Sequence, residues 1–221
     1  MPDILPGYLF DRRTIRYRDQ STGRFVSRSD IADLLDTQIT SAESRMSALT
    51  TALHDNRIAP AIWAEQMRTE VRRLTLQNQA LGAGGWDRLT QSDYGKAGAS
   101  LRDAYARMVD LAQGIQAGTV SLPQALNRVN GYVGDARRQY YEAHRTHQQP
   151  SAADVALIEI RDLGVAEHCA DCIDYHGQGW QPAGILPSPG ERSVCGTHCR
   201  CGLRSREVAT SEMTEWIGTR R

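Results

Sequence analysis

The sequence predicts a mainly α protein with three parts: an N-terminal arm or hairpin, a block of four helices, and a small C-terminal α+β module rich in cysteine. Two patterns predict this class. Apolar residues recur at helical spacing through the middle of the chain, and all five cysteines follow residue 168, where glycine and proline become frequent. We place the domains at residues 1–28, 29–148 and 149–221, with a polar linker at residues 146–153.

Composition narrows the possible functions. The 221 residues carry 26 Lys+Arg against 26 Asp+Glu, and the zero net charge argues against a free-standing DNA binder that depends on phosphate neutralisation. Hydrophobic residues make up 40% and aromatic residues only 6%, so we expect a modest aliphatic core in an elongated or multi-subunit molecule. No apolar run approaches the roughly 20 residues that span a bilayer, and the N-terminus predicts no secretory signal. We therefore expect no membrane partner.

Residues 1–28 are predicted to form an extended arm and a hairpin. Short alternating runs at residues 15–18 and 24–27 flank a turn-rich segment at residues 19–23, which ends in glycine. Because a lone two-stranded hairpin is only marginally stable in water, we expect it to lie on the following helices or on a neighbouring subunit.

Four helices are predicted from their start and stop signals. Capping-box spacing at residues 27–30 and 90–93 predicts the starts of the first and third helices. Pro60 suits the first turn of the second helix, and residues 121–124 open the fourth. The expected stops are Gly82, Gly84 and Gly85 after the second helix and Gly118 after the third.

Each predicted helix has one apolar face, with steps of three and four residues. The faces are Ile31, Leu35, Ile39, Ala42, Met46, Leu49 and Leu53; Trp63, Met67, Val71 and Leu74; Leu101, Tyr105, Met108, Ala112 and Ile115; and Leu122, Leu126, Val129, Val133, Ala136 and Tyr140. Such helices pack on each other or on partners. We expect the helical block to mediate assembly, with the face that carries Val129 and Val133 as a packing surface.

The cysteines form two groups, Cys169-x2-Cys172 and Cys195-x3-Cys199-x-Cys201. Two short-spaced groups across a loop are typical of a structural zinc knuckle. One turn aims two thiolates at a point about 2.3 Å away, and a second pair closes the tetrahedron from across a hairpin. The spacing therefore predicts one structural zinc, held by Cys169, Cys172, Cys195 and Cys199.

Several alternatives stay open at this site. Five cysteines exceed four ligands, and we expect Cys201 to be the spare one, because in an extended segment it would point away from Cys199. His168 and His198 flank the two groups and could substitute as ligands. Disulfides or free thiols are the alternative to zinc, although the odd cysteine count without a visible signal peptide disfavours a disulfide scaffold. Another metal is the third alternative.

The loop between the cysteine groups, residues 174–190, is interpreted as a Gly/Pro-shaped loop with two short strands. We expect Trp180 and Leu186 to form a small core beside the metal. Because so small a module buries little surface, the metal would supply folding energy.

The sequence predicts no enzyme. It has no His-Glu-x2-His, no zinc-deaminase pattern and no phosphate-binding loop. Asp171, Asp174 and His176 could form a second-metal nuclease site, but a solvated acidic turn is the favoured interpretation. The pairs Arg137-Arg138 and Arg220-Arg221 are likewise interpreted as solvated faces and not as nucleic-acid patches.

Taken together, these motifs resemble the bacteriophage head-morphogenesis, or minor head protein, family. The resemblance runs from about Glu167 to Leu203 and is carried by Cys169-Ala-Asp-Cys172, the Gly/Trp/Pro loop at residues 179–187 and Cys199-Arg-Cys201. Residues 23–27 are similar to a phage-structural-protein subgroup of that family. Other members often place His-Pro shortly before the final Cys-Arg-Cys, where this chain has Cys195-Gly-Thr-His198, so the fourth ligand stays open between Cys195 and His198.

The resemblance implies a virion component near the portal vertex that acts in head assembly or genome delivery. It would be a minor capsid or head–tail connector protein, and it would be present in the host cytoplasm during assembly. Its partners would be the portal protein, the major capsid protein, or copies of itself in a ring or in small number, with a contact to packaged DNA. A zinc-containing nuclease and a zinc-knuckle nucleic-acid-binding or regulatory adaptor are the alternative functions.

Overall fold

The computed structural model describes residues 7–11, 13–14, 16–147, 149–150, 152–164 and 167–213. The predicted fold class is confirmed: a hairpin precedes four long helices, and a small cysteine-rich α+β region follows them. In chain order the elements are β1 (Tyr8–Asp11), β2 (Arg16–Asp19), α1 (Arg28–His54), α2 (Pro60–Ala83), α3 (Gln91–Gln116), α4 (Leu122–His147), β3 (Val155–Asp162), α5 (Ala170–Gly177), β4 (Gln181–Pro182) and β5 (Gly202–Ala209). Short 3₁₀ helices lie at Trp86–Arg88 and Gly196–His198.

The N-terminal hairpin contains the first predicted run, which forms β2, but pairs it with a different segment. β1 and β2 are antiparallel, with Tyr8 opposite Asp19 and Asp11 opposite Arg16. Residues 24–27 form no strand and contribute only a bridge between Arg18 and Phe25. The turn at residues 19–23 nevertheless forms, because the Asp19 carboxylate accepts hydrogen bonds from the backbone N–H groups that follow it. Residue 15 of the predicted first run lies outside the described residues.

The hairpin packs on the helical block, which is one of the two arrangements that we expected from the sequence. Tyr17 and Val26 are buried together with Ile31 of α1 and with Ala80 and Leu81 of α2. The Tyr17 hydroxyl donates a hydrogen bond of 2.9 Å to the carbonyl oxygen of Leu81. The hairpin thus obtains from the helices the burial that two strands alone lack.

The helices begin and end at the predicted signals. Ser27 and Asp30 form a complete capping box at α1, and Thr90 and Asp93 form another at α3. Pro60 occupies the first turn of α2. Gly84 ends α2, and Gly118 follows α3, each with the positive φ that glycine adopts without strain. Gly82, expected to help end α2, lies inside that helix.

The four apolar faces meet inside the molecule. One aliphatic core takes side chains from all four long helices, with Trp63 and Met108 fully buried at its centre. Val129 and Val133 are also fully buried there, because α4 packs between α2 and α1. The prediction that this face is a packing surface is confirmed, and what it packs against is the chain's own helices.

The C-terminal sheet was not predicted. β3 is the central strand, with β4 and β5 antiparallel on either side of it. β3 and β5 pair over their whole length, from Val155 opposite Ala209 to Asp162 opposite Gly202. Of the two short strands expected between the cysteine groups, only the two-residue β4 forms, and the start of that segment belongs to α5.

Trp180 and Leu186 occupy different environments from those expected. Trp180 is half-buried against β5, where the guanidinium carbon of Arg206 lies 4.6 Å from the centre of its ring. Leu186 is buried, but the apolar cluster around the cysteines includes neither side chain. The small core beside the cysteines is formed by the cysteines themselves and by Leu163.

Among the described residues, no helix combines the length and the apolarity needed to cross a bilayer.

Gly82 marks the closest approach of α2 and α4. A Cβ atom at this position would overlap the carbonyl oxygen of Tyr140 on α4. These two helices, which contact each other more than any other pair of helices in the described part of the chain, can therefore pack at this distance only with glycine at position 82.

Replacing Gly82 with Ala is expected to destabilise the protein by about 2 kcal/mol or more, because the added methyl group forces two packed helices apart. Gly98→Ala on α3 is the matched control: the site is helical and exposed, and no atom lies within 4 Å of the position that the added methyl group would take. The control should gain about 0.5–1 kcal/mol from helix propensity. Urea denaturation measures both, and a Gly82→Ala protein as stable as the wild type would contradict the close approach.

Candidate metal centre

Two short helical elements position four of the five cysteines. Cys169 is the N-cap of α5, and Cys172 lies in the first turn of that helix. Cys195 and Cys199 immediately flank the 3₁₀ helix Gly196–His198, which folds them towards each other. Cys201 directly precedes β5. The Cys-x2-Cys group is thus the start of a helix, and the Cys-x3-Cys group is a tight helical turn.

The sulfur atoms are spaced for metal coordination. The Sγ atom of Cys195 lies 3.5 Å from that of Cys169 and 3.8 Å from that of Cys172. The Sγ atoms of Cys172 and Cys199 are 3.6 Å apart. A tetrahedral ion with metal–sulfur bonds of about 2.3 Å requires about 3.8 Å between sulfurs. A disulfide bond would require about 2.05 Å, and all five cysteines are free.

Cys201 belongs to the cluster, which corrects its expected role as a cysteine that points away. It is buried, and its Sγ atom lies within 4.8 Å of those of Cys172 and Cys199. The reason is that residues 199–201 are not part of a regular strand, so the alternation assumed for an extended segment does not apply.

The two flanking histidines differ in their position. The Nδ1 atom of His168 lies 3.4 Å from the Sγ atom of Cys201. His198 is exposed at the end of its 3₁₀ helix and is in neither group of ligands that the described residues bring within metal-binding distance. His168 thus contacts one cysteine of the cluster, but like His198 it belongs to neither group.

Burial and crowding act on the ionisation of these thiols. Burial and hydrogen bonds with neighbouring thiols raise the pKa of Cys172 far above its usual range. Burial likewise raises the pKa of Cys201 to about 11. At Cys169, desolvation is outweighed by the backbone N–H groups of Cys172 and Cys195, which lower its pKa to about 7. A divalent cation would supply the charge that lets the whole cluster ionise.

The loop that connects the cysteine groups is anchored on α4 by a buried ion pair. The Arg145 guanidinium donates two hydrogen bonds to the carboxylate of Glu159 on β3, at 2.7 and 3.0 Å. It also donates to the Ser188 hydroxyl and to the carbonyl oxygen of Leu186. The polar linker at residues 146–153 therefore does not hold the cysteine-rich region apart from the helices.

Two further buried arginines lie beside the cysteines. Arg137 of α4 pairs with Asp36 of α1 at 2.8 Å and directs its Nη1 atom to the carbonyl oxygen of Cys199 at 3.5 Å. Arg161 of β3 is fully buried and donates to the carbonyl oxygen of Pro187. The expectation of a solvated face at Arg137 is thus wrong, because α4 packs against the cysteine turn at this point.

Of the other three arginines interpreted as solvated, the structure describes only Arg138. Arg138 is partly exposed and pairs with Asp135 and Glu142 on its own helix. Arg220 and Arg221 lie outside the described residues.

The residues considered for a second-metal nuclease site do not converge. The Asp171 carboxylate accepts a hydrogen bond from the backbone of Val194, and Asp174 accepts one from Gln178. His176 donates from Nδ1 to the carbonyl oxygen of Arg161. Among the described residues, the side-chain groups close enough to hold a metal consist of cysteines alone.

The charged side chains that are buried beside the cysteine-rich region were not predicted from the sequence. Glu159 and Arg161 alternate with Ile158 and Ile160 in a run rich in β-branched residues, and charges inside such a run signal a buried polar network. Comparison of the chain with protein-family models, with curated proteins and with solved structures finds no match.

Arg145→Met is expected to lower the free energy of unfolding by about 3–5 kcal/mol, because it leaves the Glu159 carboxylate buried without its partner. Arg138→Met is the matched control on the same helix. Its ion pairs are about one-third exposed, so the expected cost is about 0–1 kcal/mol. Equal losses for the two variants in urea denaturation would rule out Arg145 as the anchor of the cysteine loop.

Proposed function

We propose that the protein is a structural component of a bacteriophage particle, a minor capsid, head-morphogenesis or head–tail connector protein near the portal vertex. One observation carries the proposal: the five cysteine side chains converge in one cluster, and the surrounding protein buries three of them. Closed all-thiolate centres are structural, whereas catalytic zinc sites keep an open position for water or substrate. The C-terminal motif, which resembles that of minor head proteins, supplies the viral context.

The metal that this cluster fits best is zinc. Soft thiolate ligands select zinc, copper(I) or iron–sulfur clusters, and four cysteines in a tetrahedron are typical of structural zinc. Cys169, Cys172, Cys195 and Cys199 are the four ligands we assign to it. Their role would be to join the start of α5 to the turn before β5, in a region where the surrounding apolar side chains are few.

The assembly contact is assigned to the outer surface of the α1–α2 pair. With the apolar faces of the helices buried in the core, this surface still carries an open groove of about 650 Å³. Leu49 and Ala52 of α1 and Ile62 of α2 give it an apolar floor, and Ile62 is 46% exposed. Arg45, Glu65 and Glu70 supply charged edges. Such a surface suits a helix of the portal or major capsid protein, with a second copy of this chain as the alternative partner.

A nucleic-acid-binding adaptor is the second candidate, and one observation favours it. On the C-terminal sheet, the guanidinium groups of Arg204 and Arg206 both lie near Trp180, at 5.7 and 4.6 Å from its ring centre. Within the described part of the chain, neither arginine pairs with a carboxylate. Aromatic and guanidinium groups together bind single-stranded nucleic acid, and strongly salt-dependent DNA binding would mark this function.

The nuclease alternative has no comparable support, because Asp171, Asp174 and His176 do not converge.

Purification without added metal is expected to yield zinc-loaded protein. Chelation, or Cys172→Ser, should expose residues 167–205 to protease and leave most helical circular dichroism intact, because the core of the long helices contains no cysteine. Structural zinc contributes roughly 10–16 kcal/mol of apparent binding energy in small modules at neutral pH. Val194→Ala, at an 85% exposed position in the same loop, is the control and should behave as the wild type. A reduced, metal-free protein that resists protease in this region would contradict the zinc assignment.

Ile62→Asp is expected to leave the fold intact and to prevent incorporation into particles, because it places a charge in the groove of the α1–α2 pair. Val109→Asp on α3 is the control, since its side chain is 39% exposed and is not part of the groove. Mass spectrometry of purified particles from a complemented deletion strain measures incorporation. Normal amounts of the soluble Ile62→Asp protein would exclude the groove, and absence of the wild-type chain from particles would exclude the virion role.

A further inference from the structure

β5 forms an open edge of the C-terminal sheet. The strand order β4–β3–β5 makes it a terminal strand, and it runs for eight residues, Gly202–Ala209. In an antiparallel pair, the main-chain N–H and C=O groups of alternate residues point towards the neighbouring strand, and those of the other residues point away from it. Because β5 has a neighbouring strand on one side only, every second residue directs these groups outwards.

The hydrogen bonds that continue the ladder identify the outward residues. One step beyond the paired strands, the N–H group of Thr210 donates to the carbonyl oxygen of Asp154. On the other side of β3, the carbonyl oxygen of Leu157 accepts from Ala183, just after β4. Even-numbered residues of β5 therefore bond to β3. The outward main-chain groups belong to Leu203, Ser205, Glu207 and Ala209. In the described part of the chain, no hydrogen bond reaches these outward groups.

One face of this edge is positively charged. Arg204 and Arg206 project to the face that carries Trp180, and both side chains are exposed. Neither guanidinium group has a carboxylate partner among the described residues. A strand added at the edge would place every second side chain on this face. Acidic side chains there would lie opposite the two arginines, and opposite charges across neighbouring strands stabilise a sheet.

The opposite face of the edge borders a cavity of about 280 Å³ between β5, α4 and the N-terminal hairpin. Ser205 and Glu207 line it from β5, and Phe10, Tyr17 and Leu157 give it apolar walls. The remaining side chains of an added strand would point to this face. Since an apolar cavity of about 150 Å³ holds a benzene-sized group, this one has room for a large apolar side chain.

A second copy of the chain is a poor occupant of the edge. Two β5 strands related by a two-fold axis pair only in registers that place outward residues opposite outward residues. The two such registers with the greatest overlap are centred on Ser205 and on Arg206. The first places Arg204 opposite Arg206, and the second places Arg206 opposite its own copy. Like charges directly opposite each other destabilise a sheet.

A peptide also fits this edge better than a nucleic acid. The edge offers carbonyl oxygens as well as N–H groups, and the Glu207 carboxylate is exposed beside them. A phosphate group has no hydrogen to donate to a carbonyl oxygen, and a carboxylate repels it. A peptide main chain uses both kinds of group.

We propose that β5 binds an extended segment of a partner protein as a fourth strand of this sheet. Along that segment, acidic side chains over Arg204 and Arg206 alternate with apolar side chains over the cavity. Main-chain hydrogen bonds supply affinity, and the alternation supplies specificity, as in other complexes in which a peptide extends a sheet. The inference goes beyond the proposed function, because it needs neither the virion role nor the groove of the α1–α2 pair.

The test is binding of a labelled synthetic peptide that alternates glutamate and valine over the length of β5, measured by fluorescence anisotropy with the full chain. Glu207→Pro removes one outward N–H group, and an edge strand tolerates proline where the N–H group is not part of the ladder. This variant should keep the wild-type circular dichroism and bind the peptide about tenfold more weakly. Glu207→Ala is the matched control: it loses the same carboxylate, keeps the N–H group and should bind at least as tightly as the wild type.

Amide hydrogen exchange supplies a readout that needs no variant. Bound peptide should slow exchange at the outward N–H groups of Glu207 and Ala209, both exposed residues. Exchange at Arg206 and Val208, whose N–H groups already bond to β3, should change little. Peptide binding without this protection, or equal affinity of Glu207→Pro and the wild type, would overturn the proposal.

Absence of peptide binding would overturn it as well, and two measurements would then identify the occupant. Binding of a labelled oligothymidylate by the same protein would point to nucleic acid. Sedimentation that finds a wild-type dimer and a Glu207→Pro monomer would point to a second copy of the chain.

Discussion

The packing of five thiols against one another is the constraint on which the C-terminal third of the protein depends. Three of the cysteines are buried, and burial and crowding raise the pKa of Cys172 far above its usual range. Thiols in this arrangement have few apolar neighbours, since Leu163 alone adds a further hydrophobic side chain to their cluster among the described residues. A bound cation would resolve both difficulties, because it would favour the thiolate forms and replace missing hydrophobic burial with metal–sulfur bonds. The ends of α5, the 3₁₀ helix and β5 meet at this point because their cysteines do.

Buried charged side chains connect the helical block to the cysteine-rich region. Arg145 connects α4 to β3 and to the loop between the cysteine groups, and Arg137 reaches from α4 to the carbonyl oxygen of Cys199. Each of these groups would be costly to bury alone and is held by specific partners. The cysteine cluster and the helices are therefore parts of one packed structure.

Much of the helical architecture could be predicted because its signals are local. The capping boxes at Ser27 and Thr90, Pro60 and the glycine after α2 each act within one turn of the helix, and the apolar faces repeat at the helical period. The cysteine spacing likewise indicated a metal centre. The pairing of β1 with β2, the sheet around β3 and the burial of Arg137 depend on contacts between distant segments, and no local pattern specifies them. The place of Cys201 was mispredicted for the same reason: it depends on the path of the chain between the 3₁₀ helix and β5, which its spacing from Cys199 does not determine.

The central claim is that a sulfur-bound zinc centre organises this region and serves a structural role. X-ray absorption at the zinc edge of the protein as purified tests it most directly, because it measures the atoms bound to the metal without any variant. The account predicts a first shell dominated by sulfur at about 2.3 Å. A shell of nitrogen and oxygen at about 2.0–2.2 Å, as in a zinc site with an open water position, would contradict it.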